Sequence, residues 1–151
     1  MNRDFRELLS TFNAAGVEYL VVGAHALAAH GHVRATKGLD VWVRADTANA
    51  ARVLRALQDF GTPVRDLEER DLAAPGLVFQ IGVPPVRIDV LTSVDGLEFG
   101  EAWSQRITAD LGELPVPVLS RAHLIRNKRA SVRLQDLADV EWLEGRGEGR
   151  R

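Results

Sequence analysis

Two aspartates stand where an ionised side chain is expensive. Asp40 interrupts the apolar run Leu39-Asp40-Val41-Trp42-Val43, and Asp89 interrupts Arg87-Ile88-Asp89-Val90-Leu91. A carboxylate in an apolar strand needs a hydrogen-bond partner, a counter-ion or a metal. Two of them on neighbouring strands could converge on one magnesium ion, a hard cation that prefers oxygen ligands. The structural alternative is a strand-edge aspartate bonded to backbone or to a neighbouring arginine, Arg34 being a candidate for Asp40. A third feature is the run Val21-Val22-Gly23-Ala24-His25-Ala26, which reads as a strand ending at glycine and opening a helix. Free N–H groups and the helix dipole there suit an anion such as phosphate, and glycine lets a ligand approach the backbone. Such turns also occur with nothing bound. The run GAHALA is not G-x-G-x-x-G, and no Gly-Lys-Ser/Thr follows, so neither a dinucleotide fingerprint nor a P-loop is present.

These residues must be positioned by strands and helices whose patterns are readable. Phe5, Leu8, Leu9 and Phe12 recur at helical spacing and predict an amphipathic first helix stopped at Gly16. Residues 19–22 form a short buried strand rich in β-formers, followed by the helix AHALAAH, ended by Gly31. In the strand 39–43, Leu39, Val41 and Val43 share one face, and Gly38, Asp40 and Trp42 the other. Asp46 or Thr47 caps a helix with Ala50, Val53, Leu54, Leu57 and Phe60 on its inner face, stopped by Gly61. Residues 62–75 read as a loop or short helix. Residues 77–83 and 86–91 read as two strands joined around Pro84-Pro85; the second sets Val86, Ile88 and Val90 against Arg87, Asp89 and Leu91. A short helix is expected over 99–106, and the prolyl-interrupted segment 114–119 suits a sheet edge. Ser120 is the expected N-cap of RAHLIRNKRA, and a last helix over 134–143 presents Leu134, Leu137, Ala138 and Val140. The prediction is one α/β domain over residues 1–143, a small mixed β-sheet flanked by helices with a short C-terminal helical part, and a disordered Gly-rich tail over 144–151.

Composition narrows the chemistry. The chain has 151 residues, 46% of them hydrophobic and 26% charged, close to an average soluble domain. Nineteen basic against twenty-one acidic residues leave a net charge of -2, which does not support a broad nucleic-acid-binding face. The absence of cysteine excludes disulfides, zinc fingers, iron–sulfur centres and thiol nucleophiles. His25, His30, His32 and His123 do not form a His-x-x-x-His pair, and no Gly-x-Ser-x-Gly elbow supports serine-hydrolase chemistry. The start MNRDFRELLS lacks the apolar core of a secretory signal, and no apolar run approaches the ~20 residues a bilayer requires. A cytoplasmic protein with no membrane partner is expected.

The run 19–43, with Gly23 followed by Arg34-x-Thr36 and then Leu39-Asp40-Val41, resembles the nucleotidyltransferase fold of the DNA polymerase β superfamily. It is most similar to the small bacterial group that includes aminoglycoside- and lincosamide-type transferases and abortive-infection toxins. The stretch LIRNKRASVRLQDLADVEWL also resembles that group, with Lys128, Asp136 and Asp139 at the positions of its helical Lys and Asp-x-x-Asp pattern. The resemblance spans residues 16–143.

That resemblance implies Mg2+-dependent transfer of a nucleoside monophosphate from a nucleoside triphosphate to an acceptor hydroxyl on a small molecule, a tRNA end or a protein. It makes Gly23 and Ala24 the phosphate turn, and Asp40 and Asp89 the second and third metal-binding acids. Lys128 would neutralise phosphate; the alternative is a solvated lysine among Arg126 and Arg129. The family's first acid falls at Gly38. With two carboxylates instead of three, repulsion between two dications rises and transfer should be impaired. Glycine in a strand costs roughly 0.5–1 kcal/mol relative to alanine, and packing gives no obvious reason for it. The alternative function is a non-catalytic nucleotide-binding or regulatory member, such as a toxin–antitoxin component, with a partner protein or a homodimer.

Arg34 and Thr36, just before the acidic strand, either touch phosphate or fix the loop. Asp136 and Asp139, at i and i+3, are expected to pair with Arg129 or Arg133. His25 opens the helix beside the phosphate turn, and His30 and His32 read as loop residues. Trp42 could stack a base, but a half-buried strand tryptophan is more often core.

Overall fold

The computed structural model describes residues 1–131 and 134–147. Helix α1 (Arg3–Ala14) is capped by Asn2, whose side-chain oxygen accepts from the N–H groups of Asp4 and Phe5. It buries the four residues picked out by helical spacing, Phe5, Leu8, Leu9 and Phe12, each worth about 1.5–3 kcal/mol when fully removed from water. Strand β1 (Tyr19–Val22) is buried along its whole length and turns at Gly23 directly into α2 (Gly23–Ala29). Strand β2 (Gly38–Val43) runs antiparallel to β1. Asp46 accepts from the Asn49 N–H at 2.7 Å to cap α3 (Thr47–Phe60), which ends at Gly61 in the left-handed conformation.

Asn49 is an internal polar pin. It is buried, its Nδ2 donates to the carbonyls of Glu18 and Arg44, and its Oδ1 accepts from the Glu18 N–H. A buried amide with these partners is satisfied, and it ties α3 to the ends of β1 and β2.

The segment after α3 carries the short helix α4 (Glu69–Leu72). Strands β3 (Val78–Ile81) and β4 (Arg87–Leu91) pair antiparallel across a connection with a cis Pro84-Pro85 bond. Then come α5 (Phe99–Ser104), β5 (Ile107–Leu111), β6 (Leu114–Val118), α6 (Arg121–Ser131) and α7 (Leu134–Gly147). The His123 N–H donates to Ser120 Oγ at 3.2 Å, the expected cap of α6. One six-stranded sheet has the order β3-β4-β2-β1-β6-β5. The pairs β2–β4 and β1–β6 are parallel, and the others antiparallel. The fold is therefore a mixed α/β sheet flanked by helices.

Two expectations are corrected and one strand is added. The proline-bearing strand β6 is interior, between β1 and β5. It tolerates Pro115 and Pro117 because its ladder with β1 is reduced to the single pair Val21–Val118, and the Pro115 carbonyl accepts from the Asn13 side chain instead. Strand β5 lies where no element was expected, although Ile107, Ala109 and Leu111 alternate with Thr108 and Asp110; it is one edge of the sheet and its residues are exposed or half-exposed. Helix α7 continues to Gly147, past the expected end at Leu143; the rest of the predicted tail, 148–151, lies outside the described residues.

Candidate functional site

The parallel register of β2 and β4 sets Asp40 beside Asp89, and Gly38 beside Arg87. On its other edge Asp40 pairs with Val22, the last residue of β1 before the chain turns at Gly23. Gly23 has φ 67°, and a Cβ built on it would lie 2.3 Å from Asp40 Oδ2. A side chain at 23 would thus meet both backbone strain and the carboxylate. Burial raises the Asp40 pKa to about 6, the charge of Asp89 pushes in the same direction, and the nearby charges of Arg87 and Lys128 oppose it.

These groups open into a cavity of about 930 Å³, within the range of small-molecule sites. Its lining contains Gly23, Ala24, Arg34, Thr36, Gly38, Asp40, Asp89 and Lys128, all the residues singled out from sequence for phosphate, metal or catalytic roles. Lys37, Arg87, Asn127 and Ser131 line it too. Arg87 was missed, although its position two residues before Asp89 on one strand places both on the same face. Its guanidinium lies along the Asp89 carboxylate, Nε to Oδ1 at 3.1 Å and Nη2 to Oδ2 at 3.2 Å.

The other cations are held differently from expectation. Arg34 reaches Asp139 at 3.2 Å, not Asp40. Lys128 is not a solvated lysine: it is 4% exposed, with Nζ 3.1 Å from Asp136 and 3.4 Å from Asp139. Ser131 Oγ also donates to Asp136, at 2.5 Å. Asp136 and Asp139 therefore face Lys128 and Arg34 rather than Arg129, which pairs with Glu144; Arg133 lies outside the described residues. The reason is burial: both carboxylates are almost wholly enclosed, where a cation brought close offsets the lost hydration. Thr36 Oγ1 donates to the Gly38 carbonyl at 2.8 Å and accepts from the Gly38 N–H at 3.2 Å, so it fixes the entry to β2.

Gly38 has a packing reason that the sequence did not disclose. A Cβ there would sit 1.7 Å from the Arg87 carbonyl oxygen and 2.6 Å from its carbon. No side chain fits at 38 without moving β4.

No histidine among the described residues lines this cavity. His25 stacks edge-on against Phe5. Burial pushes its pKa below the ordinary value, with the Gly38 main chain acting in the opposite sense. His30 Nε2 lies 2.9 Å from the Leu119 carbonyl, and His32 packs on Trp142. Trp42 is core, edge-on to Phe99. Among the described residues no group of three His, Asp or Glu side chains is arranged to hold a metal ion, and no helix is long and apolar enough to cross a membrane.

The six-stranded mixed sheet, with two carboxylates side by side next to a glycine turn, has the nucleotidyltransferase fold. Two solved structures share it across almost their full lengths. One is a "putative nucleotidyltransferase" from Thermotoga maritima: TM-score 0.59, 16% identity, 98% of this chain and 92% of that one covered. The other is the lincosamide antibiotic adenylyltransferase LnuA with lincomycin bound: TM-score 0.59, 12% identity, 95% of this chain and 96% of that one covered. No family model matches the sequence, and no curated protein matches it.

Proposed function

We propose that this chain binds a magnesium–nucleoside triphosphate in the cavity around Asp40 and Asp89 and transfers its nucleoside monophosphate, slowly, to an acceptor hydroxyl. The observation that carries this reading is the in-register pair Asp40–Asp89 beside the Gly23 turn. The donor set fits one magnesium ion: two adjacent carboxylates supply hard oxygens, and a dication would offset the burial and the Asp89 charge that raise the Asp40 pKa. A third carboxylate does not fit, because the space at Gly38 is taken by the β4 backbone. When bound, the ion would screen the phosphate charge. The chain's own groups then do the positioning. Gly23 and Ala24 leave the backbone open to phosphate, while Lys128 and Arg34, each paired with an aspartate of α7, line the cavity wall. Thr36 holds the approach to β2 rigid. The acceptor, a small molecule, a tRNA end or a protein, would complete the reaction.

A second reading is a nucleotide-binding or regulatory protein without transfer, such as a toxin–antitoxin component. It is favoured by the filled space at Gly38 and the arginine on Asp89. Calorimetry with the Mg2+ complexes of ATP, UTP, CTP and GTP tests the shared part. Micromolar binding of at least one, weakened tenfold or more by Asp40→Asn, is expected; silence with all four would overturn it. Pyrophosphate release with cell extract as acceptor then separates slow transfer from binding alone.

A further inference from the structure

Arg87 is paired with Asp89 in a way that the proposed chemistry leaves unexplained. Its guanidinium forms an ion pair with Asp89, Nη2 donating to Oδ2 at 3.2 Å and Nε lying 3.1 Å from Oδ1, which accepts no hydrogen bond. Its side chain is 28% exposed, and the residue lines the cavity. The main chain of the same residue fills the space beside Gly38. Gly38 and Arg87 are register partners, so the glycine that removes a carboxylate is also what lets β4 bring this arginine close.

We propose that Arg87 is a resident cation of the site, holding Asp89 in competition with a metal ion and presenting charge to a triphosphate. The inference rests on the nucleotide reading above for its ligand, but not for its effect on metal. A fixed positive charge on Asp89 opposes a dication shared by Asp40 and Asp89. The same charge attracts the phosphates of a nucleotide that carries no metal. Arg87 thus shifts the site's preference from metal-dependent towards metal-independent phosphate binding.

The test uses two titrations on the full chain and on Arg87→Gln. The first is Mn2+ alone, followed by the electron paramagnetic resonance of the free ion. Arg87→Gln should bind Mn2+ at least tenfold more tightly than the unsubstituted chain. The second is ATP in EDTA, followed by calorimetry, where the variant should lose at least tenfold in affinity. Unchanged Mn2+ affinity in the variant overturns the proposal, and so does unchanged metal-free ATP affinity where the unsubstituted chain binds ATP. If no nucleotide binds either protein, the nucleotide reading fails while the Mn2+ titration still decides the role of Arg87. Arg87→Lys, which keeps the charge, guards against misfolding of the glutamine variant. A smaller Mn2+ gain in the same direction is expected for it, and no gain in either variant overturns the proposal.

Discussion

Gly38 and Arg87 face each other across β2 and β4 so closely that a Cβ on residue 38 would lie 1.7 Å from the Arg87 carbonyl oxygen. The contact is backbone, so no rotamer change relieves it. Gly38→Ala should destabilise the protein by about 1–3 kcal/mol, the usual range for forcing atoms into a filled space, measured by urea unfolding. Gly38→Asp should do at least as much harm and should not raise nucleotidyl transfer. A Gly38→Asp protein of unchanged stability and increased transfer would show that β4 moves aside readily.

Asp40 predicts a pH dependence of stability. Its pKa in the folded chain, about 6, lies above its ordinary 3.8. A group whose pKa rises on folding contributes stability that is full below the unfolded value and is lost as pH rises through the folded value. The metal-free protein should therefore lose stability between about pH 4 and pH 7, by no more than about 3 kcal/mol from this group. Asp40→Asn should remove that component. Melting temperatures in EDTA across this range check it: parallel curves for the two proteins would contradict the assignment.

Lys128 and its two aspartates form a buried ionic cluster between α6 and α7. Lys128→Met removes the cation and leaves carboxylates enclosed, a loss of about 3–5 kcal/mol by analogy with broken buried pairs. Urea unfolding measures it. A loss below about 1 kcal/mol would mean that water reaches the aspartates.

Asp139 also holds Arg34, 3.2 Å away, in the segment that leads into β2. Asp139→Asn should loosen that segment without unfolding the sheet. Amide hydrogen exchange over residues 33–37 should accelerate by about tenfold or more, a change in local opening of roughly 1.4 kcal/mol. Exchange in β1 and β2 should be nearly unchanged; uniform acceleration would indicate global destabilisation instead.

What could be read in the sequence followed from local periodicity. The spacing of Phe5, Leu8, Leu9 and Phe12 fixed α1, the apolar runs fixed β1 and β2, and an aspartate in each of two such runs marked Asp40 and Asp89. Gly23 was legible because a strand-to-helix turn needs glycine locally. The partners of the charged groups were not legible. Which cation reaches Asp139 depends on the packing of α7 against the loop after α2, and Arg34 and Arg129 look alike in sequence. The reason for Gly38 lies in the backbone of β4, about fifty residues away. Strand β5 escaped notice although it carries a short alternation, Ile107, Ala109 and Leu111 against Thr108 and Asp110, and β6 misled because its prolines lie beside a ladder with β1 that is nearly absent.

The central claim is that Asp40 and Asp89 form one cation site against which a polyphosphate lies. The most direct measurement is anomalous diffraction from crystals soaked with MnCl2 and a non-hydrolysable ATP analogue. A manganese peak between the two carboxylates, with phosphate density along Gly23 and Ala24, is the predicted result. A peak elsewhere in the chain, or nucleotide bound away from this cavity, would contradict it.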